Sequence, residues 1–146
     1  MAYYSAVWVT VHLYAGLALG AAIPAPWWAL TLIVLASHVL LDLVPHWDYT
    51  RTEHPVRYGA LDFGAAVLTV IVGYVAFGAS VGLLALGVIS AAPDFDVLYN
   101  AARGRQGDYW WPSHWKSFPH GSCAPLPGIL TQAAVMAASC LTLALV

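Results

Sequence analysis

The sequence predicts an all-α, polytopic integral membrane protein: a bundle of four to five hydrophobic helices with one long polar loop. Three observations predict it. The chain is 61% hydrophobic, with a mean hydropathy of +0.74. Only 8% of its residues are charged, against about 25% in a soluble domain. The apolar residues gather into five runs broken at Pro and Gly. A length of 146 residues suits one domain.

The first run covers about 4–23 and ends at "PAP". No Lys or Arg precedes its apolar stretch, so it reads as a membrane helix and not as a cleaved leader. The second, about 27–44, stops before Pro45. The third, about 61–77, stops at Gly78. The fourth, about 81–92, falls short of the ~20 helical residues a bilayer needs, and reads as tilted or half-inserted. The fifth is about 126–146. The uncharged breaks "PAP" and "GAS" predict two tight helical hairpins. "VPHWD" and "APDFD", at the ends of these hairpins, hint at a loose internal repeat.

The polar loops, 45–60 and 93–125, hold all five basic residues: Arg51, Arg57, Arg103, Arg105 and Lys116. With five crossings, both loops and the N-terminus lie on one side. The positive-inside rule makes that side cytoplasmic, which fits a prokaryotic inner membrane. Trp27 and Trp28 then anchor the far interface; Trp47, Trp110, Trp111 and Trp115 anchor the near one. A formal charge of −2 without a basic cluster gives nucleic acid no footing. Cys123 and Cys140 have no metal or redox spacing and read as free thiols.

Polar residues gather at the near end. His38, Asp42 and His46 recur at intervals of four and share one helical face. A rise of 1.5 Å per residue puts His38 about 12 Å below the helix mouth, with His12 at similar depth on the first run. Asp62, Asp94, Asp96, His114 and His120 lie toward the same end. A carboxylate within a membrane helix costs about 2.5–3.5 kcal/mol and usually faces the bundle interior for a functional reason. Imidazoles and carboxylates together suit Zn²⁺, singly or as a two-metal cluster, with Mn²⁺ or Fe as alternatives. Such a metal supplies a hydroxide nucleophile at neutral pH.

Each residue has a plainer reading. His12 could bridge helices by a hydrogen bond, and His38 with Asp42 could be a structural pair. His46 and Asp48 could cap or be solvated after Pro45; Asp94 and Asp96 could be turn residues. Asp62 could complement a helix dipole. His114, Lys116 and His120 sit in an aromatic loop where surface positions are the rule. Glu53, His54 and Asp108 read as a solvated loop face. The metal reading rests on the convergence of the set.

"TVHLYAGLALG", "SHVLLDLVPHWDY" and "APDFDVLY" resemble the YdjM-like family of membrane-bound metal-dependent hydrolases. The resemblance covers roughly the first 100 residues. The stretch from His38 to His46 is more distantly similar to the ligand helix of zinc-dependent phospholipases C and single-strand nucleases. The resemblance implies His12, His38, Asp42, His46, Asp94 and Asp96 as metal ligands. It also implies hydrolysis of a phosphoester, such as one in a lipid head group. The family's His-Arg-Gly-x-Thr-His element is replaced here by "SHWKSFPHG", with different histidine spacing. In this reading Asp96 or Asp48 is the general base, and Lys116, Arg103 or Arg105 holds the phosphate. A different class also fits: an accessory subunit of a larger membrane complex, its His/Asp groups bridging helices or touching a pigment or lipid. Ion or proton transport along Asp42 and His38 fits less well, because the far half offers no polar continuation.

Overall fold

The computed structural model describes residues 7–103 and 109–146. Tyr4, in the first apolar run, and Arg105 and Asp108, in the long loop, lie outside the described residues. The chain forms helices α1 (Val9–Ala22), α2 (Trp27–Leu43), α3 (Pro55–Phe77), α4 (Val81–Ala91), α5 (Phe95–Ala102) and α6 (Pro125–Leu145). Three-residue 3-10 turns lie at Tyr49–Arg51, Ala92–Asp94 and Pro112–His114.

Local chemistry sets each boundary. α3 starts at Pro55, six residues ahead of the sequence expectation, because proline suits the first helical turn, where its missing N–H costs nothing. It ends at Gly78, whose φ of 63° closes the helix with a bond from Ala79 N–H to Gly73 O. Ser80 then caps α4 by accepting from Leu83 N–H at 3.1 Å. The fourth run is not isolated. Through the Ala92–Asp94 turn it continues into α5, and 20 residues from Val81 to Asn100 form one long apolar helical rod. The long polar loop therefore begins with two further helical turns. "VPHWD" and "APDFD" also part company: the first is mostly extended, the second helical.

Among the described residues, three helical segments are long and apolar enough to cross a membrane: Pro55–Phe77, Val81–Asn100 and Pro125–Leu145. The protein is a membrane protein on that ground. α1 and α2 are shorter, at 14 and 17 residues. α1 is the hub, packed against α2, α3, α4 and α6. Most of it is buried, whereas α3 buries only Gly59, Asp62 and Ala66, and α6 only Gly128, Gln132 and Ser139. The outer faces of α3 and α6 are apolar and exposed, as lipid-facing surfaces are.

Small residues let α1 and α4 touch. A Cβ on Gly16 would come within 2.5 Å of Ser90 Cβ and 2.9 Å of Leu86 O. Gly87 does the same against Leu17. Close approach of this kind is how membrane helices gain packing without a hydrophobic drive between them. Gly16→Leu is expected to cost upward of about 1–3 kcal/mol, as overpacking does. Thermal unfolding in detergent checks it: an unchanged midpoint would mean that the two helices do not meet at this glycine.

Candidate metal centre

α1 presents His12, and α2 presents His38 and Asp42, one turn apart. The 3-10 turn after α4 presents Asp94, and the turn at Pro112–His114 presents His114. These side chains meet in the bundle interior, at 0% exposure for His12, His38, Asp42 and His114 and 2% for Asp94. The rings of His12 and His38 stack with centroids 3.8 Å apart.

His12 Nε2 lies 3.5 Å from Asp42 Oδ1 and 3.8 Å from Asp94 Oδ2. His38 Nε2 lies 3.4 Å from Asp42 Oδ2 and 4.0 Å from Asp94 Oδ1. His114 Nε2 lies 3.9 Å from Asp42 Oδ2 and 3.5 Å from Asp94 Oδ1. These separations exceed the ~2.7–3.2 Å of a hydrogen bond. The three shortest, at 3.4–3.5 Å, sit near the ~3.3 Å that separates two ligands bound tetrahedrally at 2.0–2.1 Å, and the other three are wider, at 3.8–4.0 Å. Among the described residues, both nitrogens of His12 and both oxygens of Asp42 and of Asp94 find no hydrogen-bond partner. A buried polar group left so costs about 1–3 kcal/mol, and a charge more. Two overlapping triads, His12–His38–Asp42 and His38–Asp94–His114, could hold a metal ion.

The groups behind these donors aim them. His38 Nδ1 is 2.8 Å from Ser90 O. A carbonyl only accepts, so Nδ1 carries the hydrogen and Nε2 turns its lone pair inward. Asp96 Oδ1 is 2.6 Å from His114 Nδ1, and its Oδ2 accepts from the N–H groups of Trp110 and Trp111. Asp96, expected among the ligands and as a base, is thus fully engaged behind His114. Carboxylate–imidazole pairs of this kind orient metal-binding histidines. Burial alone would lower the pKa of His114, but Asp94 and Asp96 outweigh it and raise the pKa to about 10.

The remaining predicted residues go elsewhere. His46, buried, belongs to neither triad, and its Nδ1 donates to Val44 O at 2.8 Å. Burial lowers its pKa against the pull of Val44 O, Asp42 and Asp48. Asp48 caps the Tyr49–Arg51 turn by accepting from Thr50 N–H. Lys116 is exposed, two residues past His114. The Arg103 guanidinium lies over the Tyr99 ring, 4.5 Å from its centroid. Asp62 caps another helix: it accepts from Val9 and Thr10 N–H at 2.7 and 3.1 Å and so fixes the start of α1. That cap holds the start of α1 at Val9.

The sequence places His114 at the near end but reads it as a surface residue, and reads Trp111 as an interface anchor; in the structure both reach the site, the Trp111 ring 6.2 Å from that of His38, and the Ser90 carbonyl has no sequence signal. The loop reaches the site by pairing with the end of α2. Gly121 N–H donates to Asp42 O, His46 N–H to Gly121 O, and Cys123 N–H to His46 O. A Cβ on Gly121 would strike the Val44 and Leu43 carbonyls, so no larger residue fits.

Two outcomes follow. Gly121→Ala is expected to weaken metal binding at least tenfold by loosening the loop that carries His114, whereas Gly64→Ala, with open space around it, leaves binding unchanged. Titration calorimetry with Zn²⁺ compares them, and equal affinities would mean that the loop does not depend on this pairing. Metal must also displace the His114 proton, held on by a raised pKa, so affinity is expected to rise with pH below about 10. Proton release on loading, read in buffers of different ionisation enthalpy, checks the sign. Compared with protein-family models, curated proteins and solved structures, the chain matches none.

Proposed function

We propose that the protein is a membrane-embedded, metal-dependent hydrolase acting on a phosphoester such as a lipid head group. One observation supports the metal: three imidazoles and two carboxylates converge in the bundle, and six of their buried atoms lack a hydrogen bond. The phosphoester comes from the resemblance of "SHVLLDLVPHWDY" and "APDFDVLY" to metal-dependent hydrolases. Mixed nitrogen and oxygen donors favour Zn²⁺, with Mn²⁺ or Fe as alternatives. A bound divalent cation would polarise a phosphoryl oxygen and lower the pKa of water.

The chain's own residues supply the rest. Ser90 O holds the His38 tautomer, and Asp96 holds His114 in place. Asp96 is engaged through both oxygens, so in this reading it positions His114 and does not take the water's proton, while Asp48 caps the Tyr49–Arg51 turn through Oδ1. Lys116, exposed on the loop that carries His114, meets the phosphate as it arrives. The donors are closed off, so segment 109–120 must lift to admit substrate. In this reading the N-terminus and both polar loops face the cytoplasm across a prokaryotic inner membrane.

The closure also favours a second reading. A sealed polar cluster beneath apolar, exposed α3 and α6 faces would suit an accessory subunit of a larger membrane complex. Metal content of the detergent-purified protein separates the two. The hydrolase reading expects at least one equivalent of Zn, Mn or Fe, lost in His38→Ala and Asp42→Ala. Absence of metal from a folded wild type, with a stoichiometric partner co-purifying, would replace it with the accessory reading.

A further inference from the structure

Asp42 and Asp94 divide their oxygens in the same way. Asp42 turns Oδ1 toward His12 and Oδ2 toward His38 and His114. Asp94 turns Oδ2 toward His12 and Oδ1 toward His38 and His114. Each carboxylate therefore spans the gap between one imidazole on one side and two on the other. A single ion would use one oxygen of each carboxylate and leave the other oxygen buried without a partner. His12 would also be left outside a centre built on His38, Asp94 and His114, although neither of its nitrogens has a hydrogen bond.

From this division of donors we infer that the centre takes a pair of divalent cations bridged by Asp42 and Asp94. His12 completes one position, and His38 with His114 completes the other. The inference rests on the metal-centre reading above and adds the number of ions and the division of ligands. Two-metal sites hold their ions about 3.5–4 Å apart, a span a bridging carboxylate can serve. Pairing gives every orphaned oxygen in the cluster a use. It also leaves positive charge in excess over the two carboxylates. An anionic group must balance that excess in a buried site, so the pair favours a phosphate-bearing substrate over a neutral one.

The test counts Zn²⁺ in metal-stripped, detergent-purified full-length protein reloaded with ZnCl₂, alongside His12→Ala and Asp94→Asn. Two equivalents are expected in the wild type, one in His12→Ala, and a loss of affinity at both positions in Asp94→Asn. One equivalent in the wild type overturns the pair but keeps the metal centre. None overturns both. Two equivalents that survive intact in folded His12→Ala, or in folded Asp94→Asn, overturn the bridged assignment. If either variant fails to fold, the wild-type count alone decides between a pair and a single ion.

Discussion

Two carboxylates face three imidazoles in a space closed to water, and the geometry of the bundle answers to that encounter. An ionised side chain at the centre of a membrane helix costs about 2.5–3.5 kcal/mol before any pairing. Asp42 lies in α2 and Asp94 in the 3-10 turn within the long apolar rod. Among the described residues, neither finds the hydrogen bonds that usually compensate a buried carboxylate. The compensation must be positive charge, from a protonated imidazole or from a cation. Because α1, α2, the turn after α4 and the loop each bring one part, a slip of any one element strands a charge. Polar groups inside a membrane bundle thus specify register more sharply than the apolar contacts around them.

The scaffold meets this demand with small residues and borrowed caps. Gly16, Gly87 and Ser90 bring α1 and α4 close enough for His12 and Asp94 to share a centre. Ser90 serves twice, as a contact for Gly16 and, through its carbonyl, as the partner of His38. α1 has no capping side chain of its own, and Asp62 reaches over from α3 to bind its first N–H groups. Tyr49 leans on the same carboxylate at 3.5 Å. Two buried acidic centres therefore lie at one end of the bundle with different duties. Asp62 is saturated and ends a helix, whereas Asp42 and Asp94 are left open.

Much of this was legible in the sequence. The apolar runs gave the helices, and the four-residue spacing of His38 and Asp42 marked the inward face of α2. His12 and Asp94 entered the expected set by lying toward the same end and by the resemblance carried by "TVHLYAGLALG" and "APDFDVLY", and the structure brings both into the cluster. Where the placements differ from the spacing, the cause is common. Asp96 sits two residues from Asp94, and only the fold shows that it turns away to hold His114. His46 continues the α2 spacing, but the helix has ended by Leu43, so the periodicity no longer sets its direction. His114 carries no local signal: it reaches the site because the loop is pinned by backbone bonds to residues some 76 positions away, as His46 is from Ser122. Pairings of that kind depend on chain topology, which periodicity does not encode.

The pairing of the 121–123 stretch with the end of α2 bears on how the molecule is made. Its bonds join Asp42 to Gly121 and His46 to Cys123, contacts of very long sequence separation. Gly128, in the first turn of α6, is wedged against the Trp47 backbone, so the start of α6 and this stretch dock as one unit. Such non-local contacts form late, because loop closure must be met before they return anything. During synthesis the first four donors can gather while the remainder of the chain is still emerging. The fifth, His114, is held in place only once the 121–123 stretch has paired with the end of α2. Completion of the polar centre thereby reports that the loop has docked, and a chain that ends before Gly121 lacks the bonds that hold His114 over Asp42 and Asp94.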